Sequence, residues 1–275
     1  MTKDRIDRRF AALKAENRAG FVTYVMAGDP DAATTLSVLK GLPAAGADLI
    51  ELGFPFSDPM AEGPTIQRAA QRGLKSGMTL QGTLDLVAAF REGDADTPII
   101  LMGYLNPVLH RGFESFAAAA AKAGVDGLII VDCPPEEADP LSDALEAEGI
   151  ALIRLAAPTT DDARLPMVVR RTSGFVYYVS VAGVTGVKSA DAAEVAPAVE
   201  RLRKASGLPV AVGFGIRTPH QAAAVAKVAD AAVVGSALVD EIESAARLNE
   251  NVTEKVLLKA SELAKAVRSA RVGTK

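Results

Sequence analysis

FVTYVMAGDPDAATTLSVLKGLPAAGADLIEL, residues 21–52, holds two apolar runs separated by one segment of helical pattern. The runs are near-continuously apolar rather than alternating, which suits strands of a parallel sheet covered on both faces. The middle segment closes on Gly46, as helix C-termini tend to do. The same unit recurs along the chain. Further strand-like runs are PIILMGY (98–104), GLIIVD (127–132), IALIRL (150–155), GFVYYVS (174–180), PVAVG (209–213) and DAAVVG (230–235). Between them LQGTLDLVAAFREG, FESFAAAAAKAG, PEEADPLSDALEAEG, AAEVAPAVERLRKASG and TPHQAAAVAKVA read as helices, and DDARLPMVVRR, interrupted by Pro166, as a weaker one. Eight strands alternating with helices predict a closed (β/α)₈ barrel of the TIM type, with an open doubly wound sheet as the alternative. RIDRRFAALKAEN reads as an additional N-terminal helix and EKVLLKASELAKAVRSA as the last one. No linker or low-complexity stretch divides the chain, so residues 1–275 are expected to form a single domain.

Composition narrows the function classes. A chain 49% hydrophobic and 23% charged is ordinary for a globular protein. Its net charge of −4 supplies no basic field for nucleic acid and no polybasic patch for an anionic membrane. The charged start MTKDRIDRRF does not resemble a signal peptide, and no apolar run is long enough to span a bilayer. The one cysteine, Cys133, allows neither an internal disulfide nor a Cys-x-x-Cys metal knuckle. A soluble, cytoplasmic protein is the expectation.

In a (β/α)₈ barrel the chemistry sits at the C-terminal ends of the strands. There stands ELGFPFSDPMAEGPTIQ (51–67), with Glu51 ending an apolar strand and Asp58 and Glu62 in a proline-stiffened loop. Glu51 is where a catalytic residue belongs; the alternative is a carboxylate satisfied by backbone donors or an ion pair. Two late loops point to phosphate. VGFGIRTPH carries Gly213 and Gly215, and VVGSALVDEI opens a helix directly at Gly235–Ser236. Unpaired peptide N–H groups at the positive end of a helix bind phosphate, and barrels of this kind use the loops after strands seven and eight. A dinucleotide fingerprint would need a third glycine where Thr218 stands. The loop VAGVTGVKSA (181–190) has the composition of a mobile cover or of an idle surface loop. His110 and His220 do not look paired, Cys133 has no histidine to activate it, and only Lys188 lies near a loop of interest. A histidine-based metal site is therefore not expected, carboxylate-only Mg²⁺ binding stays open, and carboxylates with a tyrosine remain as acid–base groups.

Taken together, ELGFPFSDPMAEGPTIQ, GYLNP, YYVSVAGVTG, VGFGI and VVGSA resemble the tryptophan synthase alpha chain family, in order and spacing over nearly the whole sequence. The resemblance implies a (β/α)₈ lyase that cleaves indole-3-glycerol phosphate to indole and glyceraldehyde 3-phosphate. It implies no cofactor in this chain, and a partner beta chain that carries pyridoxal phosphate in an alpha2-beta2 tetramer. Residue by residue, it assigns Glu51 as the general acid–base, Glu62 as the acceptor of the indole N–H, and Tyr177 as the tyrosine reaching toward the acid. It further assigns Gly186, Gly213, Gly215, Gly235 and Ser236 to the phosphate cradle. Tyr24, Leu101, Tyr104, Val131 and Phe214 fall to the indole pocket, Thr185 to the lid, and Asp58 to the partner-facing loop. Tyr178 must then point to the opposite face of its strand, into the helix layer. Position 62 departs from the pattern, because the family usually carries aspartate there. Glutamate is one methylene longer, and misplacing a group by roughly 1 Å can cost about a hundredfold in rate. A barrel enzyme acting on a related phosphate substrate, and a subunit kept mainly to activate its partner, are the competing readings.

Overall fold

The structure is a computed structural model and describes residues 4–179, 192–213 and 215–271. The chain opens with α1 (Asp4–Ala15), β1 (Gly20–Met26), α2 (Ala32–Gly41) and β2 (Leu49–Gly53). Then follow α3 (Pro64–Lys75), α4 (Leu80–Arg91), β3 (Ile99–Gly103), α5 (Leu105–Arg111), α6 (Phe113–Ala123) and β4 (Gly127–Ile130). A 3₁₀ turn (Pro135–Glu137) leads into α7 (Asp139–Ala147), the short strands β5 (Ala151–Leu152) and β6 (Arg154–Ala156), and α8 (Leu165–Val169). The described chain ends with β7 (Val176–Val179), α9 (Ala192–Ser206), β8 (Val210–Gly213), α10 (Pro219–Val228), β9 (Ala231–Val234), α11 (Ser236–Arg247) and α12 (Val252–Ser269).

The strands pair in parallel in the order β5-β4-β3-β2-β1-β9-β8-β7-β6. A doubly wound sheet would reverse its order partway; this one runs sequentially around. Its two ends, β5 and β6, are consecutive pieces of residues 151–156, one pairing with β4 and the other with β7. They are the fifth barrel strand broken at Ile153, whose N–H still donates to Leu128 O at 3.0 Å. The parallel strands thus form the expected (β/α)₈ barrel.

Alternation along each strand divides the buried residues into two sets. Val25, Ile50, Leu52, Leu101, Leu128, Val176, Tyr178 and Val212 pack outward against the helices. Val22, Tyr24, Met26, Leu49, Ile100, Met102, Ile129, Ile153, Phe175, Tyr177 and Val233 fill the barrel interior. The N-terminal helix belongs to the interior set. Ile6, Phe10 and Leu13, one face of α1, are buried with it, and the Phe10 ring lies 5.6 Å from that of Phe175. α1 therefore plugs the end of the barrel where the strands begin.

That end is tied by aspartates standing directly before strands. Asp48, before β2, accepts from Phe21 N and from both terminal nitrogens of Arg18, at 2.8–2.9 Å. Asp126, before β4, accepts from Ile99 N, Arg91 and, from α1, Arg5, at 2.6–2.9 Å. Asp230, before β9, accepts from Val210 N at 2.8 Å and from Arg203. The opposite end, toward which the strands run, is left for the loops. Two helices absent from the sequence reading, α3 and α5, lie there, directly after β2 and β3. The signal for α3 was present: Ile66, Ala69, Ala70 and Gly73 recur at helical spacing and are its buried face.

Candidate active site

One cavity opens at the C-terminal end of the barrel. Its walls include Tyr24 from β1, Glu51 from β2, Met102 from β3, Tyr177 from β7 and Val233 from β9. The loops add Glu62, the first turn of α3 from Gly63 to Ile66, then Gly215 to Arg217, Gly235 and Ser236.

Glu51 is placed by strand register. It stands opposite Tyr24 on one side and Ile100 on the other, all three turned inward. The carboxylate is fully buried, and neither oxygen has a hydrogen-bond partner among the described residues. The alternative reading, a carboxylate quieted by backbone donors or an ion pair, does not fit. A buried charge with no partner favours its neutral form. Burial first, and the charge of Glu62 second, push the Glu51 carboxyl up to about 8.

Glu62 reaches the cavity because its loop is pinned. Tyr104 stacks on Phe56 with ring centroids 5.2 Å apart, and its hydroxyl accepts from Ala61 N at 2.9 Å. Glu62 N donates to Pro59 O, and Gln67 Nε2 reaches back from α3 to Glu62 O at 2.9 Å. α3 is itself anchored by Arg72, whose guanidinium forks onto the buried carboxylate of Asp29 at 2.7 and 2.8 Å. Glu62 is 7% exposed, and burial raises its carboxyl to about 7. Two acids share one apolar chamber, both raised, with Glu51 the higher.

Tyr177 faces them from β7. Its hydroxyl lies against Gly213 on β8, so closely that a Cβ there would stand 2.1 Å from the oxygen. Gly213 thus makes room for the tyrosine and is not among the cavity walls. Burial raises the Tyr177 phenol well above its ordinary range, and the charges of Glu51 and Glu62 add to the effect. Gly215 has φ of +75°, a conformation that side chains rarely adopt, and it turns the chain across the cavity. Gly235 caps α11, whose first residue, Ser236, lines the cavity with peptide N–H groups that have no intrahelical acceptor.

Leu101 requires correction as an indole-pocket residue. Inward and outward positions alternate on β3, and Leu101 packs with the helices while Ile100 and Met102 face inside. Met102 therefore holds the place that Leu101 was given. Tyr104 serves as the pin of the acidic loop and is not a wall, and Val131 packs against the interior set below. Phe214, Thr185 and Gly186 lie outside the described residues. Thr65, Ile66, Met102, Ile216, Arg217 and Val233 line the cavity without having been singled out; for Met102 the facing follows from the pairing of Glu51 with Ile100 and was not legible in the strand itself. His110 and His220 are exposed and away from the cavity. Among the described residues no group of three or more His, Cys, Asp or Glu could hold a metal ion, and no helix is long and apolar enough to cross a membrane.

Comparison with known proteins agrees with this architecture. The family model for the tryptophan synthase alpha chain matches residues 10–268. The chain is 97% identical over 275 residues, all of both chains, to the tryptophan synthase alpha chain of Caulobacter vibrioides (strain NA1000 / CB15N). It is 75% identical over 271 residues, 98% of each chain, to that of Phenylobacterium zucineum. Among solved structures, tryptophan synthase subunit alpha from Legionella pneumophila superposes with a TM-score of 0.89 at 41% identity, covering 96% of this chain and 98% of that one. A Mycobacterium tuberculosis tryptophan synthase structure gives 0.86 at 37% identity, covering 96% of this chain and 98% of that one. The sequence match spans the acids, the glycine loops and the barrel that holds them, and the chain belongs to the tryptophan synthase alpha chain family.

Proposed function

We infer that this chain is the lyase of tryptophan synthase, cleaving indole-3-glycerol phosphate to indole and glyceraldehyde 3-phosphate. The observation that carries the assignment of roles is the buried, unpartnered Glu51 beside Glu62. Between about 7 and about 8 the higher group keeps its proton while the lower one is mostly ionised, which separates an acid from a base in one chamber.

The reaction then balances on one carboxyl. Protonated Glu51 delivers its proton to indole C3, and positive charge develops on the ring nitrogen. The Glu62 carboxylate accepts the hydrogen bond from that N–H and stabilises the charge. Glu51, now ionised, takes the proton from the hydroxyl on the adjacent side-chain carbon. The C–C bond breaks, its electron pair returns to the indole ring, and the carbinol becomes the aldehyde. Glu51 finishes protonated, as it began. Tyr177 holds the acid's surroundings, and the apolar walls Tyr24, Met102 and Val233 suit the indole ring. Gly215, Gly235 and Ser236 are the phosphate end, where free peptide N–H groups meet the start of a helix.

A tryptophan synthase beta chain is the partner, and an alpha2-beta2 tetramer with pyridoxal phosphate confined to the beta chain is the assembly we propose. Support comes from exposed apolar side chains beside the pinned loop: Met60 is 79% and Leu109 55% exposed. The test of the lyase is indole release from indole-3-glycerol phosphate. Glu51→Gln should lower kcat by about a hundredfold to ten-thousandfold, the range for a lost general acid–base. Undiminished release would remove Glu51 from the role.

A further inference from the structure

Arg217 follows the glycine turn at the end of β8 and is the only cation among the described residues lining the cavity. Gly215, Gly235 and Ser236 line the same cavity, as do the two carboxyl groups of Glu51 and Glu62. Nη1 is 2.6 Å from Asp240 Oδ2, and Asp240 Oδ1 accepts from Thr65 Oγ1 at 2.9 Å. Asp240 thereby ties three pieces of the cavity rim: the turn after β8, the first turn of α3, and α11, on which it lies one turn beyond Ser236. The backbone N–H of Arg217 is held by Gln221 Oε1 at 2.8 Å, from α10. The guanidinium is thus anchored through one nitrogen. The rest of its planar fork of donors is left for another acceptor.

We propose that Arg217 is a substrate-positioning residue that donates to the phosphate of the substrate from the rim of the cavity. The inference rests on reading Gly215, Gly235 and Ser236 as the phosphate end. A phosphate dianion entering a chamber that already holds two acids gains from a fixed positive charge in the chamber's wall. Arginine suits this because its geometry lets it hold a carboxylate with one edge and a phosphate with the other. Asp240 lowers the cost of binding by restricting the side chain beforehand. A structural role alone would be slight. Both side chains of the Arg217–Asp240 pair are well exposed, at 48% and 33%, and exposed ion pairs contribute little to folding.

The experiment is indole-3-glycerol phosphate cleavage, with a beta chain present throughout, by Arg217→Gln, Arg217→Lys and Ser236→Asp. Arg217→Gln should raise KM about tenfold and leave kcat within about twofold, as expected when binding common to ground and transition states is lost. The salt dependence of KM should flatten, and inhibition by inorganic phosphate should weaken in step. Arg217→Lys, which keeps the charge but has no second edge to spare beside Asp240, should recover only part of the KM. An unchanged KM in Arg217→Gln, or a fall in kcat alone, overturns the proposal. Ser236→Asp separates this failure from that of the cradle. An acid in the first turn of a helix is favourable for folding, yet it would repel phosphate. If Ser236→Asp raises KM while Arg217→Gln does not, the cradle stands and Arg217 falls. If neither raises it, both readings fall.

Discussion

Glu51 shows how a single residue can be costly to the fold and necessary to the chemistry. Its folded pKa is raised above its unfolded value, so stability is greatest below about 4.5 and is lost as pH rises toward about 8. Glu51→Gln removes that loss. The variant's advantage in thermal stability over the parent should therefore grow between pH 5 and pH 8, by roughly 2–4 °C for each kcal/mol. Melting curves at the two pH values measure it, and a pH-independent difference would mean that the carboxyl is not buried in its charged form. Catalysis sets the opposite requirement. Glu51 must be protonated and Glu62 ionised, so kcat/KM should be bell-shaped, falling below about 7 and above about 8. A rate that climbs steadily through pH 9 would contradict the assignment of acid and base. Glu62 raises the further question of length. Its loop is fixed by Tyr104, Gln67 and Pro59, while a Cβ on the adjacent Gly63 would meet nothing within 4 Å, so the turn at the helix start has space. We expect Glu62→Asp to lower kcat by about tenfold to a hundredfold, because this loop is set for the longer acid. If Glu62→Asp proved the faster enzyme, the natural chain would be a subunit whose chemistry has drifted toward partner activation.

At the scale of the element, β3 carries the lesson about what a sequence reveals. PIILMGY announces a strand but not which of its residues face inside, because a buried parallel strand is apolar on both faces and has no alternation to read. Register supplied the answer: Glu51 faces Ile100, which sets Ile100 and Met102 inward and Leu101 outward. The two faces should respond differently to truncation. Leu101→Ala should cost about 2–5 kcal/mol of stability and leave KM unchanged in the protein that remains folded. Met102→Ala should raise KM with a smaller loss of stability. Denaturant titration combined with steady-state kinetics separates them, and a KM effect at Leu101 equal to that at Met102 would reverse the facing. Other parts of the site were legible. Glu51 at a strand end and the paired glycine loops follow from position alone, and the outward Tyr178 follows from alternation once the family resemblance has turned Tyr177 inward. Arg217 was not, since nothing local tells a rim arginine from a surface one. Gly213 was read for the phosphate, and its structural use is to admit the Tyr177 ring from the neighbouring strand.

Over the whole molecule, the two ends of the barrel have separate duties. The end where strands begin is closed by α1 and by aspartates that each satisfy a neighbouring strand's N–H and an arginine. The end where strands finish opens into the cavity and holds the buried Glu51 carboxyl, which has no hydrogen-bond partner among the described residues. Instability concentrated at one end is tolerable because the other is packed. Phe10→Ala, which removes a ring from the plug against Phe175, should cost about 3–5 kcal/mol. It should leave kcat of the folded fraction unchanged, since the cavity is at the far end. Chemical denaturation with activity measured per folded molecule checks this, and a matching loss in kcat would show that the ends are coupled.

Strand–helix alternation, hence the barrel and the end at which chemistry must lie, is written in the order of apolar runs and glycine-closed helices along the chain. The sequence also carried the family, through motifs whose residue types and spacing survive along the chain. Tertiary structure alone decided which strand residues point inward, where the broken fifth strand closes the ring, and that the N-terminal helix plugs it. The reason is physical. Element type follows from local periodicity and backbone preference, which are properties of neighbours in the chain. Facing, closure and the raised acidity of Glu51 arise from groups brought together from distant segments, and those exist only once the barrel has formed.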